Sequence, residues 1–155
     1  MSTTVKPIPE GYSTITPYLT VCGGGEAIEF YKKVFGAKEV MRMPQPDGKI
    51  GHAELNIGDS KIMLADECDT MKSKSAKTLG GSPVTLHVYV ANVDNTVNEA
   101  IAAGATVLHP VSDKFYGDRS GTVKDPFGHI WHVSTHIEDV SPQEMERRMK
   151  AMQSA

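Results

Sequence analysis

The chain has 155 residues, 39% of them hydrophobic and 23% charged, and a formal net charge of −3 at pH 7. This composition is typical of a globular protein of about one domain and excludes a disordered chain. The apolar runs are too short to span a membrane, and the longest basic run, Arg147–Arg148, argues against nucleic acid as a partner. Met1–Glu10 lacks a secretory signal pattern and is expected to be a loose leader, and two isolated cysteines indicate reduced thiols, so we expect a cytoplasmic protein.

The first half of the chain predicts a strand, a helix and three further strands. Residues 15–21 alternate apolar and polar side chains, which is typical of a half-buried strand. From Glu26 to Phe35 the apolar spacing becomes that of a helix with one apolar face, and Gly36 is placed to end it. The three strands that follow are predicted at residues 38–43, 52–57 and 61–65.

The second half repeats this order after an exposed connector. Residues 66–83 carry lysines, small polar residues and glycines without an apolar period. Residues 84–90 then alternate regularly, and Asp94 is placed to cap a helix over residues 95–103. Three more strands are predicted at residues 106–108, 121–124 and 130–135.

Landmarks in the two halves recur at a nearly constant offset. Gly36 corresponds to Gly104 and Val21 to Val90, each about 69 residues later in the chain. We therefore predict a tandem repeat of one strand–helix–three-strand unit.

A separate helix is predicted at the C-terminal end. Ser141 is a suitable N-cap, Pro142 suits the first helical position, and Glu144 completes a capping box. One side of this helix carries Met145, Met149 and Met152. Two interpretations remain open: the helix packs on its own domain, or it forms an arm across a partner subunit.

Several segments resemble the vicinal oxygen chelate superfamily. Residues 27–37, Ala-Ile-Glu-Phe-Tyr-Lys-Lys-Val-Phe-Gly-Ala, are similar to its first-helix signature, and residues 116–119 followed by 125–129 resemble its last hairpin. The other similar segments are residues 52–55 and 135–140. Over about residues 12–148 the chain looks most like the PhnB-like, glyoxalase/bleomycin-resistance branch.

The resemblance implies an α+β fold in which two tandem βαβββ modules form a curved sheet around a cavity, with a C-terminal helix in addition. The expected organisation is one domain over residues 12–140 (module 1 about 12–66, connector about 67–82, module 2 about 83–140) and a helical arm over 141–155. Members of the superfamily include metal-dependent lyases, isomerases and dioxygenases as well as metal-free antibiotic-binding proteins, so the fold alone does not determine the function.

The resemblance also implies four metal-ligand positions, which fall on Thr16, Met63, Thr85 and His132. Neutral hydroxyls are poor ligands, a thioether is too soft for most of these metals, and only His132 fits. We therefore expect no metal at this quartet and no other cofactor. A divalent metal held by a relocated set of His87, His132 and Glu54 is the alternative.

Strand alternation concentrates polar and aromatic groups on the predicted cavity face. It also predicts that Trp131 and Val133 of the last strand pack under the helix, and that His52 and Glu54 share a face of the third strand. The resemblance places Tyr116 and Arg119 in a loop at the mouth of that cavity, whereas a purely structural interpretation has Asp118 and Arg119 hold the turn. The expected ligand-binding residues are Tyr18, Met63, Thr85, His87, Tyr89, Tyr116, Arg119 and His132.

Three functions remain open from the sequence. The chain is expected to bind a small organic molecule without a metal, because its predicted cavity is lined by aromatic and polar side chains. It could instead be a metal-dependent lyase or isomerase in which Glu54, the candidate catalytic residue, moves a proton. A third alternative is a domain that acts through its dimer surface or its C-terminal helix. Free sheet edges and the resemblance both indicate a homodimer.

Overall fold

The computed structural model describes residues 5–154, and these residues form an α+β structure of two compact units that divide after Gly80. Unit 1 is the part before this division and unit 2 the part after it. Residues 1–4 of the expected leader and Ala155 of the expected C-terminal arm lie outside the described part. The prediction of a single domain over residues 12–140 concerns the arrangement of the units and stays a prediction.

Unit 1 contains one four-stranded sheet and two helices. Its elements are β1 (Tyr18–Val21), α1 (Gly24–Phe35), β2 (Lys38–Pro44), β3 (Ile50–Ile57), β4 (Ser60–Asp66) and α2 (Ala76–Leu79). The strand order is β1-β4-β3-β2, with β1 parallel to β4 and the other pairs antiparallel. The short helix α2 was not expected in the connector. Ser75 caps it by accepting a hydrogen bond from the backbone N–H of Thr78.

Unit 2 repeats the same topology. Its elements are β5 (Thr85–Tyr89), α3 (Val93–Ala102), β6 (Thr106–Asp113), β7 (Asp118–Lys124), β8 (Ile130–His136) and α4 (Pro142–Gln153). The strand order β5-β8-β7-β6 matches that of unit 1, and β5 is parallel to β8. The predicted repeat of strand, helix and three strands is therefore confirmed, as is the additional C-terminal helix.

The core of unit 1 lies between α1 and one face of its sheet. The buried side of α1 includes Ile28 and Tyr31, both 0% exposed, because the apolar residues recur at the helical period. Alternate residues of the strands meet this side of the helix, among them Val21, Leu55 and Leu64. The intervening residues of each strand consequently lie on the opposite face of the sheet.

The core of unit 2 is built in the same way against α3. Val93, Val97 and Ala100 are buried on the helix, and Trp131 and Val133 are buried on β8, as the alternation predicted. The sequence interpretation was wrong about several boundaries here. The strand β6, predicted to end at residue 108, continues to Asp113. Asn92, not Asp94, caps α3, and β7 begins at Asp118, three residues before the predicted start at Gly121.

The C-terminal helix α4 begins as predicted, with the Ser141 side chain accepting a hydrogen bond from the backbone N–H of Glu144. Arg148 on this helix donates to both carboxylate oxygens of Glu138, at 2.7 and 2.9 Å, and to the backbone carbonyl of Phe115 at 3.1 Å. These contacts attach the helix to its own unit. Within residues 5–154, no helix is both long and apolar enough to cross a membrane.

Candidate ligand-binding site

The sheet face of unit 2 that points away from α3 carries a cluster of polar side chains. The register places His87 of β5 directly beside His132 of β8, and their ring centroids are 6.0 Å apart. Thr122 of β7 is opposite His132 on the other side, and its hydroxyl lies 2.6 Å from His132 Nδ1. The parallel β5–β8 pairing and the antiparallel β7–β8 pairing thus bring three distant segments together.

These side chains line a cavity of about 190 Å³. The lining residues are His87, His109, Lys114, Tyr116, Ser120, Thr122 and His132. None of them is acidic, and each has at least one hydrogen-bonding group on its side chain. The cavity is therefore rich in donors.

His132 is the most informative titratable group in this cavity. Burial lowers its pKa below the usual range, and the neighbouring His87, His109 and Lys114 lower it further by charge repulsion. The Thr122 hydroxyl and Nδ1 of the neutral His132 ring form a hydrogen bond, which holds the ring in place. The second ring nitrogen, Nε2, is then available to a ligand.

The wall of the cavity formed by Lys114 and Tyr116 is held by a tight turn. Gly117 adopts φ +101°, and its carbonyl accepts hydrogen bonds from the backbone N–H groups of Ile137 (2.9 Å) and Glu138 (3.0 Å). A Cβ atom at Gly117 would lie 2.1 Å from the Glu138 carbonyl oxygen. Only glycine therefore fits here, and the close approach of the two backbone segments fixes the positions of Lys114 and Tyr116 in the cavity wall.

Three of the eight expected ligand-binding residues, His87, Tyr116 and His132, line this cavity. Thr85 lies opposite Ile130, outside the lining set. Tyr89 stacks near His87, with ring centroids 4.8 Å apart, but its hydroxyl donates to Asp118 Oδ2 at 2.9 Å. Tyr18 and Met63 belong to unit 1, where they pair in register.

Arg119 occupies a different environment from Tyr116. It lies in β7, and its guanidinium donates twice to Asp94 of α3, at 2.7 and 2.8 Å, and once to Asp113 at 2.8 Å. Its side chain therefore lies on the α3 side of the sheet with three of its five N–H donors engaged. A ligand-binding role for Arg119 stays a prediction.

Sequence reasoning missed four residues of the cavity: His109, Lys114, Ser120 and Thr122. A signal for two of them existed. Because side chains alternate along a strand, a β7 that begins at Asp118 places Ser120 and Thr122 on one face with Asp118 itself. The predicted start at Gly121 left Ser120 out of the strand. We find no comparable signal for His109 and Lys114, whose positions depend on the path of β6 and its turn.

Unit 1 has its own polar cluster around Glu54, which is 4% exposed. Its carboxylate accepts hydrogen bonds from the hydroxyl of Tyr12 at 2.5 Å and lies 3.2 Å from His52 Nε2 and 3.4 Å from Lys61 Nζ. The Tyr12 hydrogen bond, followed by those of His52 and Lys61, holds the pKa of Glu54 below its usual range despite burial. Tyr18 extends this network, with its hydroxyl 2.8 Å from His52 Nδ1.

The donor sets do not fit a metal ion. The quartet implied by the resemblance offers one histidine, two threonines and a methionine, of which Thr16 precedes β1 and Thr85 lies opposite Ile130. In the relocated set, His132 Nδ1 already forms a hydrogen bond with Thr122, and the Glu54 carboxylate accepts one from Tyr12. Among residues 5–154, no group of three or more His, Cys, Asp or Glu side chains is arranged to hold a metal.

A comparison with family models finds one match that covers residues 14–133, "Glyoxalase/Bleomycin resistance protein/Dioxygenase superfamily". Among curated proteins, the chain is 41% identical over 140 residues to an uncharacterized protein of Mycobacterium tuberculosis, covering 88% of this chain and 82% of that protein. The resemblance inferred from the first helix and last hairpin is therefore confirmed at the level of the superfamily.

Two solved structures share this fold. The structure of an Arabidopsis thaliana gene product matches with a TM-score of 0.65 and 27% identity, over 79% of this chain and 98% of that one. TioX from Micromonospora sp. ML1 matches with a TM-score of 0.62 and 28% identity, over 81% of this chain and 99% of that one.

Proposed function

The chain belongs to the glyoxalase/bleomycin resistance protein/dioxygenase superfamily, and from this membership we propose that it binds a small organic molecule in the cavity of unit 2 without a metal ion. The observation that carries this proposal is the cavity of about 190 Å³ in which His87, Tyr116 and His132 converge from separate segments. A concave site with aromatic rings and a few oriented polar groups is typical of ligand pockets.

The donor chemistry supports binding rather than metal-assisted catalysis. Inner-sphere chemistry at a zinc or iron centre needs two or three His or carboxylate ligands around an open position. His132 Nδ1 already forms a hydrogen bond with the Thr122 hydroxyl. The Glu54 carboxylate in unit 1 is in contact with Tyr12, His52 and Lys61. We therefore assign Glu54 no proton-transfer step.

The experiment combines metal analysis with ligand screening. Protein purified without chelator is analysed for divalent metals, and its thermal unfolding is measured against a panel of small aromatic and polar compounds. We expect less than stoichiometric metal and at least one stabilising compound whose effect is lost in Tyr116→Ala. Stoichiometric metal that disappears in both His87→Ala and His132→Ala would support the metal-dependent lyase or isomerase and overturn the proposal.

We further propose that the protein acts as a cytoplasmic homodimer. Both β2 and β6 are edge strands of their sheets with mostly exposed side chains, and such edges are commonly covered by another chain. Cys22 and Cys68 are free thiols, as expected in a reducing compartment. Sedimentation at micromolar concentration tests the dimer, and a monomer under those conditions would contradict it.

A further inference from the structure

The side chains that line the unit 2 cavity all carry groups that can donate a hydrogen bond. Three imidazoles, one ammonium, one phenol and two hydroxyls face it, and no carboxylate does. We propose that this cavity holds an oxyanion, a carboxylate or a phosphoryl or sulfonyl group, of the bound molecule. This inference rests on the proposed function and names the chemical class that the site selects.

The charges around the cavity favour an anion. Lys114 Nζ donates to Ser112 Oγ at 2.8 Å and makes no ion pair with any residue in the described range 5–154. Its charge is therefore not neutralised by a protein carboxylate, although it borders a partly enclosed space in which electrostatic interactions are stronger than in water. A ligand anion would supply the missing partner, whereas a cationic ligand would be repelled.

The one acidic side chain on this face of β7, that of Asp118, already has hydrogen-bond partners within the protein. Asp118 is 3% exposed, and its two oxygens interact with the Tyr89 hydroxyl at 2.9 Å and with His136 Nδ1 at 2.8 Å. It therefore does not compete for the donors of Lys114 and His132. The groups that face His132 from the neighbouring elements are His87 on β5, His109 on β6, and Lys114 in the turn after β6.

The size of the cavity indicates which part of a ligand it holds. Pockets for whole drug-sized molecules are typically about 300–1,000 Å³, and this cavity has about 190 Å³. It corresponds to about six water molecules at about 30 Å³ each. The volume suits a charged head group, with the remainder of the ligand outside the cavity.

The probes are benzoate, sulfate and neutral benzamide, titrated into the full-length protein while the histidine Cε1–H signals are recorded by NMR. Benzoate and sulfate are both anions at about pH 7, whereas benzamide is neutral and has nearly the same shape as benzoate. We expect saturable shifts of the His132 and His87 signals with one or both anions and none with benzamide. The two anions distinguish a planar carboxylate site from a tetrahedral one.

Two matched lysine variants test the location. Lys114→Met should weaken anion binding about tenfold or more, as loss of a charge-assisted hydrogen bond does. Lys124→Met removes the same charge from an exposed position at the end of β7, outside the lining set, and should leave binding unchanged.

The outcomes separate the two proposals. If benzamide and benzoate bind equally well, or if both lysine variants weaken benzoate alike, the oxyanion inference fails while small-molecule binding stands. If neither anion shifts the histidine signals but neutral compounds stabilise the fold, the inference also fails and the proposed function stands. If no anionic or neutral compound binds, both fail.

Discussion

The Tyr12 hydroxyl donates to Oε2 of Glu54 across 2.5 Å, although the two residues are 42 positions apart in the chain. Tyr12 precedes the first strand, and the hydrogen bond ties this segment to the sheet of unit 1. Lys61 strengthens the contact, because its ammonium group lies 3.4 Å from the same oxygen and 4.6 Å from the centre of the Tyr12 ring. A buried carboxylate with these partners should contribute to stability rather than to chemistry.

We predict that Glu54→Gln and Tyr12→Phe both destabilise the protein, the former more strongly. Tyr12→Phe removes one charge-assisted hydrogen bond, worth about 1–2 kcal/mol, whereas Glu54→Gln also leaves Lys61 and His52 without a charged partner and should cost about 2–3 kcal/mol. Urea unfolding gives both values. Tyr116→Phe is the matched control and should change stability by less than about 0.5 kcal/mol. Equal losses in the two tyrosine variants would contradict this account.

The contribution of Glu54 should disappear in acid. Its pKa is lowered in the folded protein relative to an unperturbed value of 4.5, so the folded state binds the proton less readily than the unfolded state. The stabilisation is then fully present above that value and lost as the pH falls through the folded pKa. Urea unfolding between about pH 7 and about pH 3 should show the gap between the wild type and Glu54→Gln closing below about pH 4.5. A gap that is constant across this range would exclude an ionised Glu54 as its cause.

The alternation of apolar and polar residues predicted the strands well, because apolar side chains on one face of each sheet pack against a helix. The predicted burial of Trp131 and Val133 is an example, and so is the shared face of His52 and Glu54 on β3. The register follows from this, since a shift by one residue would place Val133 on the wrong face. Alternation therefore predicted on which face of their strands His87 and His132 lie, whereas their direct pairing is seen only in the structure.

Side-chain partners across the sheet could not be predicted in the same way. Asp94 looks like a helix cap in sequence, since acidic residues favour that position, yet Asn92 provides the cap and Asp94 pairs with Arg119 25 residues later. Lys114 reaches the cavity only because the turn at Gly117 packs against the backbone at Glu138. Both contacts join segments that are distant in sequence, and local patterns carry no information about them.

Two histidines on the same strand should titrate on opposite sides of the usual histidine pKa. Burial and the charges of His87, His109 and Lys114 lower the pKa of His132, whereas hydrogen bonds to Asp139 and Asp118 raise the pKa of His136. NMR titration of the histidine Cε1–H signals should therefore show His132 changing below about pH 6.5 and His136 above it. Asp139→Asn should shift the midpoint of His136 downwards and leave that of His132 unchanged. The reverse order of the two midpoints would contradict the described environments.

Arg119 and Tyr116 should differ in what their loss affects. Arg119→Met removes a bidentate pair with Asp94 and a contact with Asp113, and because these groups are largely exposed the cost should be no more than about 1 kcal/mol. We expect the variant to keep its response to ligands. Tyr116→Ala should lose the response to ligands, and because the residue is only 37% exposed the variant should also lose some unfolding free energy. Thermal unfolding with and without benzoate measures both properties, and loss of the response in Arg119→Met would restore the original prediction that Arg119 binds ligand.

The turn at Gly117 should link stability to ligand binding. A Cβ atom there would meet the Glu138 carbonyl oxygen at 2.1 Å, and the φ of +101° is itself unfavourable for any other residue. Gly117→Ala must therefore move the turn away from residues 137–138, and Lys114 and Tyr116 move with it. We expect a loss of about 2–4 kcal/mol in unfolding free energy together with weaker benzoate binding, measured by urea unfolding and NMR titration.

The matched control is Gly25→Ala in the first turn of α1. Gly25 has no atom within 4 Å of its Cβ position and no positive φ, so alanine should be tolerated or slightly stabilising in the helix. Unchanged binding in a folded Gly117→Ala protein would show that the turn does not position the cavity wall.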